Sequence, residues 1–140
     1  MSVFTDKEIE YMAEQHLGRL ATVDSKGNPH VAPVGFRYNP VTDTIDIGGL
    51  DLKNTRKWHH AAAHPRVAFV IDDVVPPWQV HGIEVRADVE LVDEGGKEWG
   101  PHYAPELMRL HPVRIIAWGL DTREKNARDV ARKVEVKLQP

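Results

Sequence analysis

Cysteine is absent from all 140 residues. Disulfides, thiolate nucleophiles and zinc–cysteine sites are excluded together, which fits a reducing, cytoplasmic setting. Long apolar runs are also missing: the longest, Val67 to Ile71, is far too short to cross a bilayer. The N-terminus, MSVFTDKEIE, has neither a basic stretch nor an apolar one and does not read as a secretory signal. Positive charge is in deficit, with 18 Lys and Arg against 21 Asp and Glu and a formal net charge of -3. A general nucleic-acid binder is usually basic, so neither nucleic acid nor membrane is expected as a partner. Any anion recognition has to be local. No internal repeat and no low-complexity tract is found.

What is present reads most simply as one domain, long enough to bury roughly two-thirds of its unfolded surface. Thr5 and Glu8 have capping-box spacing, and Phe4 and Ile9 are spaced as a hydrophobic staple. Ile9, Met12, Ala13, His16 and Leu17 then recur at helical spacing, predicting one buried stripe that Gly18 ends. From there the period becomes two. RLATV, PHVAPVGFRY, TIDIGG, RVAFVID, VHGIEVRADVELVDE and VRIIAWGL are strand candidates separated by turn clusters such as DSKGN and NPVTD. RVAFVID is apolar on both faces, as a central strand should be. Six strands with tight turns and few helices predict a mainly β, antiparallel barrel. GGKEWGPHYAPELMRLHP is expected as a loop with one short helix. The barrel domain is assigned to residues 1–121. Residues 122–140, densely charged with Ala127, Val130, Ala131 and Val134 at helical spacing, are expected to be a helical or mobile tail.

Between two strands lies GGLDLKNTRKW. Asp51 is placed to cap a helix on which Lys53, Arg56, Lys57, His60 and His64 share one face. Leu52, Thr55, Trp58, Ala62 and Ala63 lie opposite and can pack on the barrel. A helix N-terminus presents free N–H groups and a partial positive charge, so a phosphate there gains from backbone and side chains alike. The same stripe also suits a solvated face, and Asp51 would repel an anion. Gly48 and Gly49 allow a ligand or another backbone to approach closely. Pro33 and Gly35 interrupt the preceding strand, as an edge position would also explain. Two interrupted strands beside a basic helix would suit a flat ring with a phosphorylated side chain. His60 and His64 lie one turn apart, but no convergent third ligand or adjacent acidic base accompanies them, so no metal site is expected. His59, His81, His102 and His111 read as surface or structural. No serine–histidine–acid set with nucleophile-elbow character is present, and no catalytic residue is named.

The ordered series LGRLATVDSKGNPHVAPVGFRYNPVTDTIDIGG, TRKW and HPRVAFVIDD resembles the pyridoxamine 5'-phosphate oxidase-like, flavin-binding split β-barrel superfamily. Within it, the series is similar to the branch that uses the deazaflavin coenzyme F420. The likeness continues through GIEVRADVEL and HPVRIIAWGLD, and NARDV in the tail is also similar. The resemblance implies a six-stranded antiparallel split β-barrel forming a homodimer with two cofactor clefts at its interface. It implies ring contacts at Pro33, Val34 and Gly35 and at Ile47, Gly48 and Gly49, and a phosphate site at Thr55, Arg56 and Lys57. Arg86 and Trp118 belong to strands that reach the cleft in relatives, which makes them substrate-binding candidates. The activity implied is hydride transfer from reduced F420 to a small organic acceptor. FMN in the same site is the alternative cofactor, and a non-catalytic cofactor-binding module the alternative role. Two departures stand out. Ala62 and Ala63 precede His64, Pro65 and Arg66 where many relatives carry paired arginines, and the arginine-rich C-terminal strand of true pyridoxamine phosphate oxidases is missing. Vitamin B6 oxidation is therefore not implied.

Overall fold

Thr5 opens the first helix, α1 (Asp6–Glu14), through a reciprocal capping box. Its hydroxyl accepts from the Glu8 amide at 3.2 Å, and the Glu8 carboxylate accepts from the Thr5 amide at 3.0 Å. The helix is shorter than its apolar spacing predicts. It stops at Glu14, and Leu17 and Gly18 belong to the first strand, where β-pairing replaces helical bonds. Tyr11 and Met12 are buried with Glu8, while Ala13, His16 and Leu17 are exposed.

The computed structural model describes residues 1–120 and 132–136. Its strands are β1 (Leu17–Val23), β2 (Pro29–Gly35), β3 (Arg37–Asn39), β4 (Thr44–Ile47), β5 (Arg66–Val75), β6 (Gln79–Val92), β7 (Leu107–Trp118) and β8 (Arg132–Glu135). Helix α2 spans Arg56–Ala63. All pairings are antiparallel, in the order β2-β1-β5-β6-β7-β4-β3, with β8 added to β7. The number differs from the six expected for two reasons. PHVAPVGFRY is two strands broken at Phe36, and part of the tail pairs as β8. The remaining tail positions, 121–131 and 137–140, lie outside the described residues, and with them most of the expected helical or mobile segment.

The break at Phe36 explains how the sheet curls. β2 and β3 stand at opposite ends of the strand order, yet one residue joins them, so the chain itself carries the sheet round into a split barrel. Phe36 is buried and packs edge-on against Phe69 of β5, with ring centroids 5.3 Å apart. Inward positions alternate as the pleat requires: Ile83, Val85 and Ala87 on β6 and Val67, Phe69 and Ile71 on β5 are buried. Each large side chain contributes roughly 1.5–3 kcal/mol by leaving water. The segment between β6 and β7 is a loop with one short 3-10 turn, Gly96–Trp99. On the outer face of β5, Ala68 and Val70 are only half-buried.

Candidate functional site

The segment after Gly49 does not begin its helix at Asp51. It first makes a 3-10 turn, Leu52–Asn54, anchored by the fully buried Leu52. Asp51 caps nothing with its side chain; its carboxylate accepts from the Asn54 amide group at 2.8 Å. Thr55 is extended and caps α2. Its hydroxyl accepts from the Trp58 amide at 3.4 Å and donates to the Leu52 carbonyl at 2.6 Å. The basic stripe expected from uninterrupted helical spacing is therefore split. Lys53 sits on the turn, 3.7 Å from the Asp93 carboxylate. Arg56 and Lys57 occupy the first turn of α2, where the N-terminal amides are free.

Neither Arg56 nor Lys57 has an ion-pair partner among the described residues. Arg56 is exposed and Lys57 half-buried. Burial pushes the Lys57 ammonium below its ordinary pKa, and no anion compensates. A half-buried ammonium beside an exposed guanidinium and a helix N-terminus is a favourable place for a phosphate.

Further along the helix, His60 turns inward rather than joining the cationic face. Its Nδ1 shares a 2.9 Å hydrogen bond with the hydroxyl of Thr22, a buried β1 residue, and its ring lies 4.6 Å from that of His30 on β2. Ala61 is the buried alanine of α2, whereas Ala62 and Ala63 are exposed; the start at Thr55 sets this rotation. His64 ends the helix and is exposed.

Gly48 has a reason within the chain: a Cβ there would lie 3.1 Å from the Trp99 indole, whereas one on Gly49 would make an ordinary 3.4 Å contact with the Leu52 side chain. The Gly49 carbonyl accepts from the Ala104 amide at 2.9 Å. Arg37 places its guanidinium 4.7 Å from the centre of the Trp99 ring, a cation–π contact. Trp99 was not among the sequence candidates. The signal for it was an aromatic inside the glycine-rich GGKEWG, whose partner strand is remote in sequence. Ile47 is completely buried, backbone included, so the expected ring contact falls to Gly48 and Gly49, which are half-buried.

On β2, Val34 points into the core while Pro33 and Gly35 are exposed. The strand pairs with β1 alone, Pro33 opposite Arg19 and Gly35 opposite Leu17. His30, which touches α2, lies three residues from Pro33, roughly 10 Å along the strand. Ile47–Gly49 and Thr55–Lys57 are thus joined by one short turn, and Gly35 lies two residues before Arg37, which pairs with Asp46 next to Ile47. Arg86 and Trp118 lie on the outer face of β6 and β7. Arg86 is 3.1 Å from the Glu84 carboxylate, and the Trp118 indole lies over Gly82. Arg86 is four positions from Gly82, so the two candidates are roughly 13 Å apart along the sheet.

Comparison with known proteins gives this geometry a context. The sequence profile described as pyridoxamine 5'-phosphate oxidase matches residues 4–131. Over 120 residues, 84% of each chain, the protein is 42% identical to the 5a,11a-dehydrotetracycline/5a,11a-dehydrooxytetracycline reductase of Streptomyces rimosus. General Stress Protein 26 from Bacillus anthracis superposes with a TM-score of 0.67 at 17% identity, covering 94% of this chain and 97% of that one. An FAD-binding protein from Mesorhizobium loti superposes with a TM-score of 0.59 at 17% identity, covering 76% and 85%. At such identities these two likenesses are likenesses of fold.

Proposed function

Because the chain belongs to the pyridoxamine 5'-phosphate oxidase family, we propose that it is an oxidoreductase reducing an activated double bond in a small organic acceptor with coenzyme F420. The observation that carries this reading is the 42% identity, over most of both chains, with an enzyme named for reducing dehydro-tetracyclines. The cations of α2, which have no ion-pair partner among the described residues, support it from the side of the cofactor.

In this reading Arg56 and Lys57 bind the cofactor phosphate, and Thr55 holds the turn that presents them. The phosphate supplies the counter-charge that the half-buried Lys57 lacks. Backbone groups of Gly48 and Gly49 border the ring, with the buried Ile47 beside them and Trp99 packed against Gly48. Reduced F420, when bound, supplies the hydride. A proton completes the reduction, so the acceptor gains two hydrogens across one bond.

A homodimer is part of the proposal, with each cleft completed by a second copy. The outer face of β2, β1 and β5 supports this. Val31 and Leu17 are exposed there, beside the half-buried Ala21, Ala68 and Val70. Among the described residues no helix is long and apolar enough to cross a membrane, and a cytoplasmic location is proposed with the rest.

Titration of the cofactor-free protein with F420 and with FMN, followed by fluorescence, tests the proposal. Tighter binding of F420, and its oxidation when a dehydro acceptor is added, are expected. Preference for FMN would replace the cofactor, and tight binding without turnover under any acceptor would make the chain a carrier.

A further inference from the structure

A second cleft, of about 620 Å³, lies between α1 and the ends of β5 and β6, and it shares no residue with the α2 anchor. Its volume is in the range of small-molecule sites. One wall is α1, with Glu10 and Glu14 a single turn apart and Tyr11 beside them. The other wall carries Asp73, Val75 and His81.

The polar groups of the two walls are tied together. The Tyr11 hydroxyl donates to Asp73 Oδ1 at 2.5 Å and lies 3.3 Å from the His81 carbonyl oxygen. His81 Nδ1 is 3.4 Å from the same carboxylate oxygen. Burial, and then Asp73, push the Tyr11 phenol far above its ordinary pKa, so it stays a donor.

Among the described residues, carboxylates outnumber cations in this cleft. Among the described residues Glu10 and Glu14 have no ion-pair partner, and the one ammonium lining the cleft, Lys7, stands against three carboxylates. The last turn of α1 contains no basic residue, so its free carbonyls add to the negative potential. Val75 and Leu120 give the cleft an apolar part beside this charge.

We propose that the cleft between α1 and the β5–β6 ladder binds an organic cation, a protonated amine carried on an apolar body. The ammonium sits between Glu14 and Asp73, and the body lies against Val75 and Leu120. This site is independent of the cofactor reading, since neither Arg56 nor Lys57 borders it.

Calorimetric titration of the full chain with 1-naphthylmethylammonium at neutral pH tests this, with the neutral 1-naphthylmethanol and the anionic 1-naphthoate as controls. Saturable binding of the ammonium is expected, at least about tenfold tighter than the alcohol, with no detectable binding of the naphthoate. Glu14→Gln, on the solvent side of the helix, should weaken it by about threefold or more, and added salt should do the same. Asp73→Asn should weaken it further. Equal affinity for ammonium and alcohol, or a Glu14→Gln protein that binds like the parent, would overturn the assignment. A loss of probe binding in Lys57→Ala would put the probe at the cofactor anchor and overturn it as well.

Discussion

His60 Nδ1 and the Thr22 hydroxyl share a 2.9 Å hydrogen bond that joins α2 to the interior of β1. Thr22 is buried, so the bond is shielded, and it helps hold the helix that carries Arg56 and Lys57 in the rotation its start at Thr55 gives. Thr22→Val keeps the shape and removes the hydroxyl. Denaturant unfolding should show a loss of about 1 kcal/mol, the usual net worth of such a bond. Cofactor affinity should fall with it, and unchanged affinity would show that the bond does not orient the anchor.

Lys57 is placed at a cost to the empty protein, because burial disfavours its charged form. A lowered folded pKa means that the folded chain releases its proton more readily, so this penalty is present at neutral pH. It fades as pH rises from the folded value toward the ordinary 10.5. Lys57→Met should therefore raise the stability of the cofactor-free protein, by up to about 1 kcal/mol, while abolishing phosphate anchoring. Lys57→Ala and Arg56→Ala should each weaken cofactor binding by about 1.5–3 kcal/mol. Losses smaller than about threefold in both would remove α2 as the anchor.

Glu8 is buried on α1 and receives Arg132 of β8 at 2.8 and 3.0 Å, while the same guanidinium donates to the Val3 carbonyl at 3.0 Å. Removing one partner strands a buried charge. Arg132→Met should cost about 3 kcal/mol in urea unfolding, and Arg132→Met with Glu8→Gln less than the sum of the two. Additive losses would mean that the pair is not coupled.

Strong acid should loosen the β1–β2 turn. Asp24 accepts from the Asn28 and Lys26 amides, both at 2.9 Å, and the Asn28 amide foremost holds its carboxyl down at about 2, against an ordinary 3.8. A depressed folded pKa stabilises above the unfolded value, and that stability is lost as pH falls through the folded one. Asp24→Asn should flatten the stability profile between pH 3.8 and about 2 and leave its shape near neutrality unchanged. An acid limb identical in parent and variant would contradict this role.

Much of the candidate anchor could be read directly. Arg56 and Lys57 stand next to a good capping residue, and helix start signals are local chemistry. The expected cap was Asp51, with Thr55 inside the helix. The burial of Leu52, a tertiary effect, moved the start to Thr55 and detached Lys53 from the stripe. The inward turn of His60 was illegible for the same reason, since its partner Thr22 is 38 residues away. Trp99 on Gly48 and Arg37 on Trp99 are likewise contacts between segments far apart in the chain.

Alternation along β6, the capping box of α1 and the antiparallel class of the sheet follow from the residues themselves, because period and capping are set by neighbours a few positions apart. Closure of the barrel through Phe36, the pairing of β8 with β7 and the enclosure of a cleft by α1 and β5–β6 were decided by the folded chain. Each requires groups distant in sequence to meet, and the free energy of those meetings is shared across the whole core rather than carried by any local pattern.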